Sequence, residues 1–282
     1  MRLERYAWRR FVDRAVHVSC MLATGLALVP LCSVLYYVFS RGIGGLDLAF
    51  FTELPKPVGE PGGGMAPAIV GTLKLVGLSC LFAIPPGVLA GVYLSEYRET
   101  RFGRIARFSA DVLSGVPSIT VGLFVYAVVV TTMKQFSAFA GSLALSVLML
   151  PTIARSTEEL LKLVPDALRE AALGLGVPHF RATLRVVLRT AAPGIAVGVM
   201  LAVARAAGET APLLFTAFNN RFWSASLGEP TASLPVSIYT YAVSPYEDWH
   251  RQAWSAALVL LLLVLFLNLS ARWLVRHRVN GR

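Results

Sequence analysis

The sequence GIAVGVMLAVARAAGETAPLLFTA occupies residues 194–217 and is apolar along most of its length. It is long enough to form a helix across a hydrocarbon core of about 30 Å. It also contains Arg205 and Glu209, which are four residues apart and therefore share one face of any helix that the whole stretch forms. A charge at the centre of a membrane helix costs about 3 kcal/mol, so such charges pair with each other or face a bundle interior or a hydrated pathway. This segment is therefore the first candidate for a functional site.

The composition of the whole chain indicates a membrane protein with several spans. Hydrophobic residues make up 56% of the 282 residues, charged residues make up 15%, and the mean hydropathy is +0.63. These values exclude an ordinary soluble domain. The mostly apolar stretches that are long enough to cross a membrane cover residues 15–39, 65–94, 112–133, 136–154, 194–217 and 253–275. We therefore predict an all-α membrane protein with six transmembrane helices.

The basic residues indicate how these helices are oriented. The net charge is +10, and the cytoplasmic loops of membrane proteins carry an excess of Lys and Arg. With both termini in the cytoplasm, the basic residues that fall outside are Arg41, Lys56, Lys134, Arg221 and Arg251. Lys74 and Arg205 fall within spans, and all other basic residues are cytoplasmic. Membrane orientation thus explains the positive charge, which does not indicate a nucleic-acid partner.

The predicted spans divide the chain into four parts. These are a cytoplasmic N-terminal segment at residues 1–14, a first transmembrane helix at 15–39, a core of five transmembrane helices at 65–275 and a cytoplasmic tail at 276–282. The core includes a long cytoplasmic loop at 155–193, in which helix-forming pieces flank Gly174 and Gly176. We predict a helix, a glycine turn and a second helix in this loop.

Small residues and a proline predict local features of the spans. Gly87 and Gly91, like Gly194 and Gly198, are four residues apart, a spacing that lets two membrane helices approach closely. Pro117 is expected to break or begin the third span, because proline lacks a backbone hydrogen-bond donor. Broken helices often line transport sites, although a packing kink would explain the same residue equally well.

The cytoplasmic loop carries a motif at Glu170, Ala171 and Ala172, followed four residues later by Gly176. This pattern resembles the EAA signature in the permease subunits of ABC importers. The resemblance implies that the loop forms short coupling helices that dock into a groove of a cytoplasmic ATPase. Such a helix, seated in a groove, can transmit a rigid-body movement. Without the resemblance, a solvated pair of amphipathic helices would explain the loop. One departure is Arg189, which stands where the family usually has a proline.

Three further segments narrow the resemblance. The sequence ARAAGETAPLLFT at residues 204–216 resembles the corresponding helix of the PstA-type permeases of phosphate-specific ABC importers. The sequence DVLSGVPS at 111–118 agrees with that family, as do LPVSIY at 234–239 and SPYEDW at 244–249. The similarity extends from about Pro67 to the C-terminus.

The resemblance implies the fold, the partners and the location of the chain. The fold would be that of a type I, MetI-like importer permease in the bacterial inner membrane, with both termini cytoplasmic. The chain would form half of a heterodimeric pore with a PstC-type permease, in contact with membrane lipid, two copies of a cytoplasmic ATPase subunit and an extracytoplasmic phosphate-binding protein. No cofactor is expected in the chain, which has no P-loop motif to cradle ATP. ATP and Mg²⁺ would be bound by the ATPase subunit, and this chain would be non-catalytic.

The candidate pathway residues follow from their position at membrane depth. Arg205 offers a positive charge to phosphate, and Glu209 either moderates that charge or forms part of a gate. The structural alternative is an ion pair that only neutralises both residues. Ser118 and Thr210 can donate hydrogen bonds to phosphate, although hydroxyls in membrane helices more often bond to backbone or to neighbouring helices. Lys74 lies outside the family pattern and is assigned no role, and its long side chain can extend toward an interface.

Three other functions are compatible with parts of this pattern. The coupling motif is shared by permeases for other oxyanions, such as sulfate, molybdate or phosphonate. A stand-alone channel or a secondary transporter would accommodate an intramembrane ion pair equally well. A membrane-embedded enzyme is disfavoured, because no cluster of catalytic His, Asp or Ser residues occurs at membrane depth.

Overall fold

The computed structural model describes residues 2–57, 60 and 62–280, and all regular secondary structure within these residues is helical. The ends of the predicted terminal segments, Met1, Gly281 and Arg282, lie outside the described residues. The helices are α1 (Arg2–Gly42), α2 (Leu48–Thr52), α3 (Ala66–Glu96), α4 (Arg101–Gly115), α5 (Ser118–Val125), α6 (Thr131–Met133), α7 (Ala138–Lys162), α8 (Asp166–Gly174), α9 (His179–Ala182), α10 (Leu188–Ala207), α11 (Ala211–Thr216), α12 (Leu234–Ala242) and α13 (Glu247–Asn280). A 3₁₀ turn at Ile43–Gly45 follows α1, and π-helical segments at Tyr126–Val130 and Thr183–Val187 join α5 to α6 and α9 to α10.

The helices confirm the prediction of an all-α membrane protein. Within the described residues, five helical stretches are long and apolar enough to cross a membrane, at Trp8–Gly45, Ala66–Glu96, Ala138–Lys162, His179–Ala207 and Glu247–Ser270. A sixth crossing is present if α4 and the helical stretch Ser118–Met133 are counted together, although these two are bent by 104° at their junction. The predicted number of six spans therefore requires that one span be bent.

The bend changes the bounds of the span predicted at residues 112–133, because α4 begins at Arg101 and the break falls at Val116 and Pro117. Helix α4 ends at Gly115, and Val116 adopts an extended conformation with φ −71° and ψ 131°. Pro117 then precedes the first residue of α5. Proline lacks the N–H that a continuing helix requires, and it disfavours the helical conformation of the residue before it. The prediction that Pro117 breaks or begins this span is confirmed.

Helix α7 lies at the centre of the core, between α3 and α10. A Cβ atom added at Gly91 of α3 would lie 2.5 Å from the Thr157 Cβ, and one added at Gly198 of α10 would lie 2.7 Å from the Ser156 Cβ. Side chains larger than hydrogen would therefore clash at both positions. The glycine pairs of the sequence thus let two helices approach α7 closely, as predicted.

The predicted cytoplasmic loop at 155–193 is shorter in the structure, because helices extend into it from both sides. Helix α7 continues to Lys162, and a helical stretch runs from His179 to Ala207 with π-helical hydrogen bonding at Thr183–Val187. Only residues 163–178 form the connection, and they contain α8 and a turn at Gly176. The predicted order of helix, glycine turn and helix is confirmed, but the second helix is the beginning of a membrane span.

Candidate functional site

Two helix breaks are linked by the contact between the helices that follow them, one within the bent span and one at the end of the span His179–Ala207. One break separates α4 from α5 at Val116 and Pro117, and the other separates α10 from α11 at residues 208–210. Helices α5 and α11 are in contact, and a Cβ added at Gly122 would lie 2.6 Å from the Pro212 Cα. Broken helices at membrane depth expose backbone and polar groups where they line a cavity or a pathway. The two breaks therefore mark the part of the chain in which polar groups can serve transport.

The second break corrects the prediction that Arg205 and Glu209 share a helix face. Arg205 lies in the last turn of α10, which ends at Ala207, whereas Glu209 follows the helix end. The N–H of Gly208 still donates to the Arg205 carbonyl at 3.1 Å, so the chain turns tightly at this point. The two side chains nevertheless form an ion pair, with 3.5 Å between Arg205 Nε and Glu209 Oε1.

The two members of this pair differ in their exposure. The Arg205 side chain is 67% exposed within the chain, but that of Glu209 is only 17% exposed. Both line a small cleft together with Leu148 and Thr152, which lie near the middle of α7. The carboxylate is therefore held against the chain's own core, halfway along a membrane span, and the guanidinium points away from that core. Thr152 is a polar residue of this cleft that sequence reasoning did not identify.

The two predicted hydroxyl donors lie beside the same breaks. Ser118 is the first residue of α5, and Thr210 directly precedes α11. Both residues are partly buried. Other hydroxyls in the spans donate to backbone carbonyls, as Thr72 does to Ala68 at 2.7 Å. No such bond is found for Ser118 or Thr210 within the described part of the chain, so both hydroxyls can still donate to another group.

The coupling motif is divided between a buried and an exposed side of α8. Ala172 is buried, whereas Glu170 and Ala171 are exposed. Helix α8 ends in a Schellman-type cap, in which the Val177 N–H donates to the Ala172 carbonyl at 3.1 Å. Gly176 has φ +78°, a conformation that glycine adopts without strain. The motif residues therefore have distinct structural roles in holding and presenting the short helix.

An exposed apolar surface surrounds the α8 turn. The side chains of Leu163, Leu175 and Phe180 are 76%, 85% and 71% exposed. Leu163 precedes α8, Leu175 directly follows it and Phe180 lies in α9, so all three belong to the predicted cytoplasmic loop. Large apolar side chains that cluster on a surface commonly mark a protein interface. The geometry is therefore suited to docking of α8 against another protein.

A buried carboxylate that sequence reasoning missed lies at the end of α7. The Glu158 side chain is 0% exposed and contacts three cations. Arg107 Nη2 and Lys162 Nζ lie 2.7 and 2.5 Å from Glu158 Oε1, and Arg155 Nη1 lies 2.8 Å from Oε2. Arg155 also contacts Asp111 of α4 at 3.0 Å. The available signal was the spacing of the two cations from Glu158, with Arg155 three residues before it and Lys162 four residues after it, once α7 is extended to Lys162.

Lys74 has a structural partner that the sequence did not reveal. Its Nζ donates hydrogen bonds to the backbone carbonyls of Ser224 and Ser226, at 3.2 and 3.0 Å. Both carbonyls belong to the long outside segment between α11 and α12. The Lys74 side chain thus links α3 to this segment.

Aromatic residues of α12 and α13 pack against one another. The rings of Tyr241 and Trp249 stack with 4.3 Å between their centroids, and the Arg221 guanidinium lies 5.4 Å from the Trp249 ring. Burial raises the pKa of the Tyr241 phenol, and the positive charge of Arg221 opposes this shift. Arg221 and Tyr241 also line a cavity of about 210 Å³ together with Asn219. These aromatic residues therefore have packing roles within the chain.

Comparison with known proteins identifies the family. Residues 87–280 match the family of binding-protein-dependent transport system inner membrane components. Over 272 residues the chain is 45% identical to the phosphate transport system permease protein PstA of Yersinia pestis, a match that covers 96% of this chain and 92% of the relative. The chain belongs to the PstA family. The PstA protein of Haemophilus influenzae is 42% identical to it, over 97% of both chains.

The fold of this PstA-family permease resembles that of a more distant importer. A structure of the MetNI methionine ABC transporter in an inward-facing conformation matches 74% of this chain and 94% of its own chain, with a TM-score of 0.63 and 19% identity. At this identity the match shows the fold alone, and it confirms the predicted type I, MetI-like architecture. The chain is thus a multi-pass permease subunit. Family membership assigns no roles to single residues, so those of Arg205, Glu209, Thr210 and Ser118 stay predictions.

Proposed function

We propose that this chain is the phosphate-conducting permease subunit of an ATP-driven importer, in which it forms half of a heterodimeric pore. The observation that carries the proposal is the position of Arg205, whose side chain is 67% exposed beside a cleft halfway along α7. The relatives named as phosphate transport permeases support phosphate as the substrate.

The environment of Arg205 favours a pathway over contact with lipid. A fully charged guanidinium exposed to hydrocarbon is strongly disfavoured, so at this depth it faces water, a partner subunit or a bound anion. Guanidinium groups bind phosphate oxygens through charge-assisted hydrogen bonds. In the structure Arg205 Nε lies 3.5 Å from Glu209 Oε1, and the Arg205 side chain stays 67% exposed, so this ion pair does not enclose the guanidinium. Arg205 therefore attracts phosphate, and Glu209 limits the attraction so that the anion can leave.

The hydroxyls of Ser118 and Thr210 complete the proposed pathway. Each lies at a break in a membrane span, and neither donates to backbone within the described residues. A phosphate ion has more acceptor oxygens than one guanidinium can satisfy, so neutral donors nearby increase binding without adding charge. Ser118 at the start of α5 and Thr210 just before α11 thus provide these hydrogen bonds.

The energy for transport comes from two copies of a cytoplasmic ATPase subunit, which bind ATP and Mg²⁺. The exposed side of α8, with Glu170 and Ala171, docks into a groove of the ATPase, while buried Ala172 and the turn at Gly176 hold the helix in place. The exposed Leu175 and Phe180 enlarge the apolar contact. Closure of the ATPases then moves α8 as a rigid body and opens the pore toward the outside.

The remaining partners complete the importer. A PstC-type permease forms the other half of the pore, and an extracytoplasmic phosphate-binding protein delivers the anion. The complex resides in the bacterial inner membrane, with both termini of this chain in the cytoplasm, as the distribution of basic residues favours. Phosphate released by the binding protein passes Arg205 and then leaves on the cytoplasmic side.

The substrate is tested by uptake into proteoliposomes that contain the complete complex and the binding protein. We expect uptake of radiolabelled phosphate that requires hydrolysable ATP and is not reduced by excess sulfate, molybdate or phosphonate. Competition by one of these anions, together with its own ATP-dependent uptake, would assign the chain to that oxyanion. Phosphate uptake that persists without ATP would instead support a channel or a secondary transporter.

A further inference from the structure

A second buried carboxylate joins the coupling helix to a membrane span. Glu96 is the last residue of α3, and its side chain is only 5% exposed. Its Oε2 atom accepts a hydrogen bond from Arg169 Nη1 at 2.5 Å and lies 3.6 Å from His179 Nε2. The other carboxylate oxygen, Oε1, is buried without a hydrogen-bond partner in the described part of the chain.

The two partners of Glu96 lie on opposite sides of the turn at Gly176. Arg169 belongs to α8 and directly precedes Glu170 of the coupling motif, whereas His179 is the first residue of α9. One carboxylate at the end of α3 therefore contacts both helices of the coupling loop. Any movement of α8 relative to α3 must break this contact or carry Glu96 with it.

The charges around Glu96 favour its contact with Arg169. The C-terminal end of a helix carries a partial negative charge, so a carboxylate at the end of α3 needs a cation nearby. Arg169, whose side chain is 19% exposed, supplies that cation through a short, charge-assisted hydrogen bond. Removal of either partner leaves a poorly solvated charge. The pair thus fixes the position of α8 relative to the membrane span.

We propose that Glu96 is the positioning residue through which α8 moves α3 when the ATPases close. This inference rests on the proposed function as an ATP-driven importer. Helix α3 passes the movement on, because Gly91 packs against Thr157 of α7 so closely that an added Cβ would lie 2.5 Å from the Thr157 Cβ. Helix α7 in turn lines the cleft of Arg205 and Glu209. A continuous series of packed groups therefore connects the coupling helix to the proposed pathway.

The test compares the variants Glu96→Gln and Arg169→Gln with wild type in the complete complex, reconstituted with the binding protein. Phosphate uptake and ATP hydrolysis are measured in the same proteoliposomes. We expect the phosphate transported per ATP hydrolysed to fall about fivefold or more in each variant, while ATP hydrolysis continues. The double variant should be no worse than either single variant, since both remove the same contact.

Matched controls separate this role from general effects of charge removal. Glu99 is an exposed carboxylate three residues after Glu96, and Arg181 is an exposed arginine of α9. Glu99→Gln and Arg181→Gln should leave the ratio of transport to hydrolysis unchanged. Rescue by Glu96→Asp, with a ratio between those of Glu96→Gln and wild type, would further support a positioning role.

Two results would overturn the inference. In the first, uptake and hydrolysis fall in parallel with the amount of assembled complex, which would make the contact a structural tie. In the second, the ratio stays at the wild-type value. If the wild-type complex does not take up phosphate, the substrate proposal fails instead. The link is then still tested by the stimulation of ATP hydrolysis by the binding protein, which Glu96→Gln should reduce and Glu99→Gln should not.

Discussion

Arg107 of α4 and Glu158 of α7 form an ion pair with 2.7 Å between Arg107 Nη2 and Glu158 Oε1, and the Glu158 side chain is closed to solvent. Arg107 also donates to the Leu94 carbonyl of α3 at 3.2 Å. One guanidinium of α4 therefore contacts both α3 and α7. Arg155 and Lys162 contact the same carboxylate, so the junction depends on Glu158.

Loss of the Glu158 carboxylate should weaken this junction. We expect Glu158→Gln to lower the free energy of unfolding by about 2 kcal/mol, below the roughly 3–5 kcal/mol typical of a fully buried pair, because the cations are partly exposed. Thermal unfolding of the purified complex measures the change. Glu159→Gln is the matched control, since Glu159 is 66% exposed and lies 3.9 Å from Arg155. Equal shifts in Tm for the two variants would show that the cluster has no special role.

The contact between α3 and α7 predicts a steric effect at Gly91. A Cβ at this position would lie 2.6 Å from the Ala154 carbonyl oxygen as well as close to Thr157. Gly91→Ala should therefore destabilise the protein by about 1–3 kcal/mol, the usual range for an overpacked core. Gly77→Ala in the same helix is the control, because an added Cβ there meets nothing within 4 Å. An equal Tm for both variants would contradict the close approach of α3 and α7.

The turn after α8 predicts a purely conformational effect at Gly176. An added Cβ would meet nothing within 4 Å, so the cost of Gly176→Ala comes from φ +78° alone and is about 1–2 kcal/mol. The strain should displace α8 and weaken binding of the ATPase subunit. Co-purification of the ATPase in detergent measures this effect. Gly174→Ala, which also meets open space but lies at the end of α8, should bind the ATPase like wild type. Equal ATPase binding by Gly176→Ala and wild type would remove the support for this turn as part of the docking element.

Loss of the Lys74 ammonium group should loosen the segment between α11 and α12. Lys74→Met removes two charge-assisted hydrogen bonds to the segment between α11 and α12. We expect hydrogen exchange of residues 219–233 to increase about tenfold, which corresponds to roughly 1.4 kcal/mol. Exchange in α7 should not change. Lys134→Met, at an exposed lysine, serves as the control. Unchanged exchange at residues 219–233 would show that other contacts hold the segment.

Hydropathy was sufficient to predict most of the fold. The apolar stretches gave the number of spans, because transfer of side chains to lipid dominates their placement. Pro117 gave the position of one break, because its missing N–H acts locally whatever the surroundings. The turn at Gly176 was likewise predictable, since the left-handed conformation depends on a single residue.

Features that depend on distant parts of the chain could not be predicted in this way. The early end of α10 at Ala207 was missed because residues 194–217 are apolar on both sides of it. Burial of Glu158 and Glu96 depends on cations from other helices, such as Arg107 and Arg169. Hydropathy places these two glutamates and two arginines in polar loops. Only the packed structure shows which carboxylate pairs with which guanidinium.

Passage of phosphate by Arg205 is tested by ATP-dependent uptake in the variant Arg205→Gln. The complete complex is reconstituted with its binding protein, and ATP-dependent phosphate uptake is compared with wild type and with Arg251→Gln, which changes an exposed arginine of α13. Assembly and ATP hydrolysis are measured in parallel. We predict that Arg205→Gln lowers uptake about tenfold or more at unchanged assembly, because a charge-assisted contact to the anion is lost. Uptake equal to that of wild type would contradict the account and make Arg205 and Glu209 a structural pair.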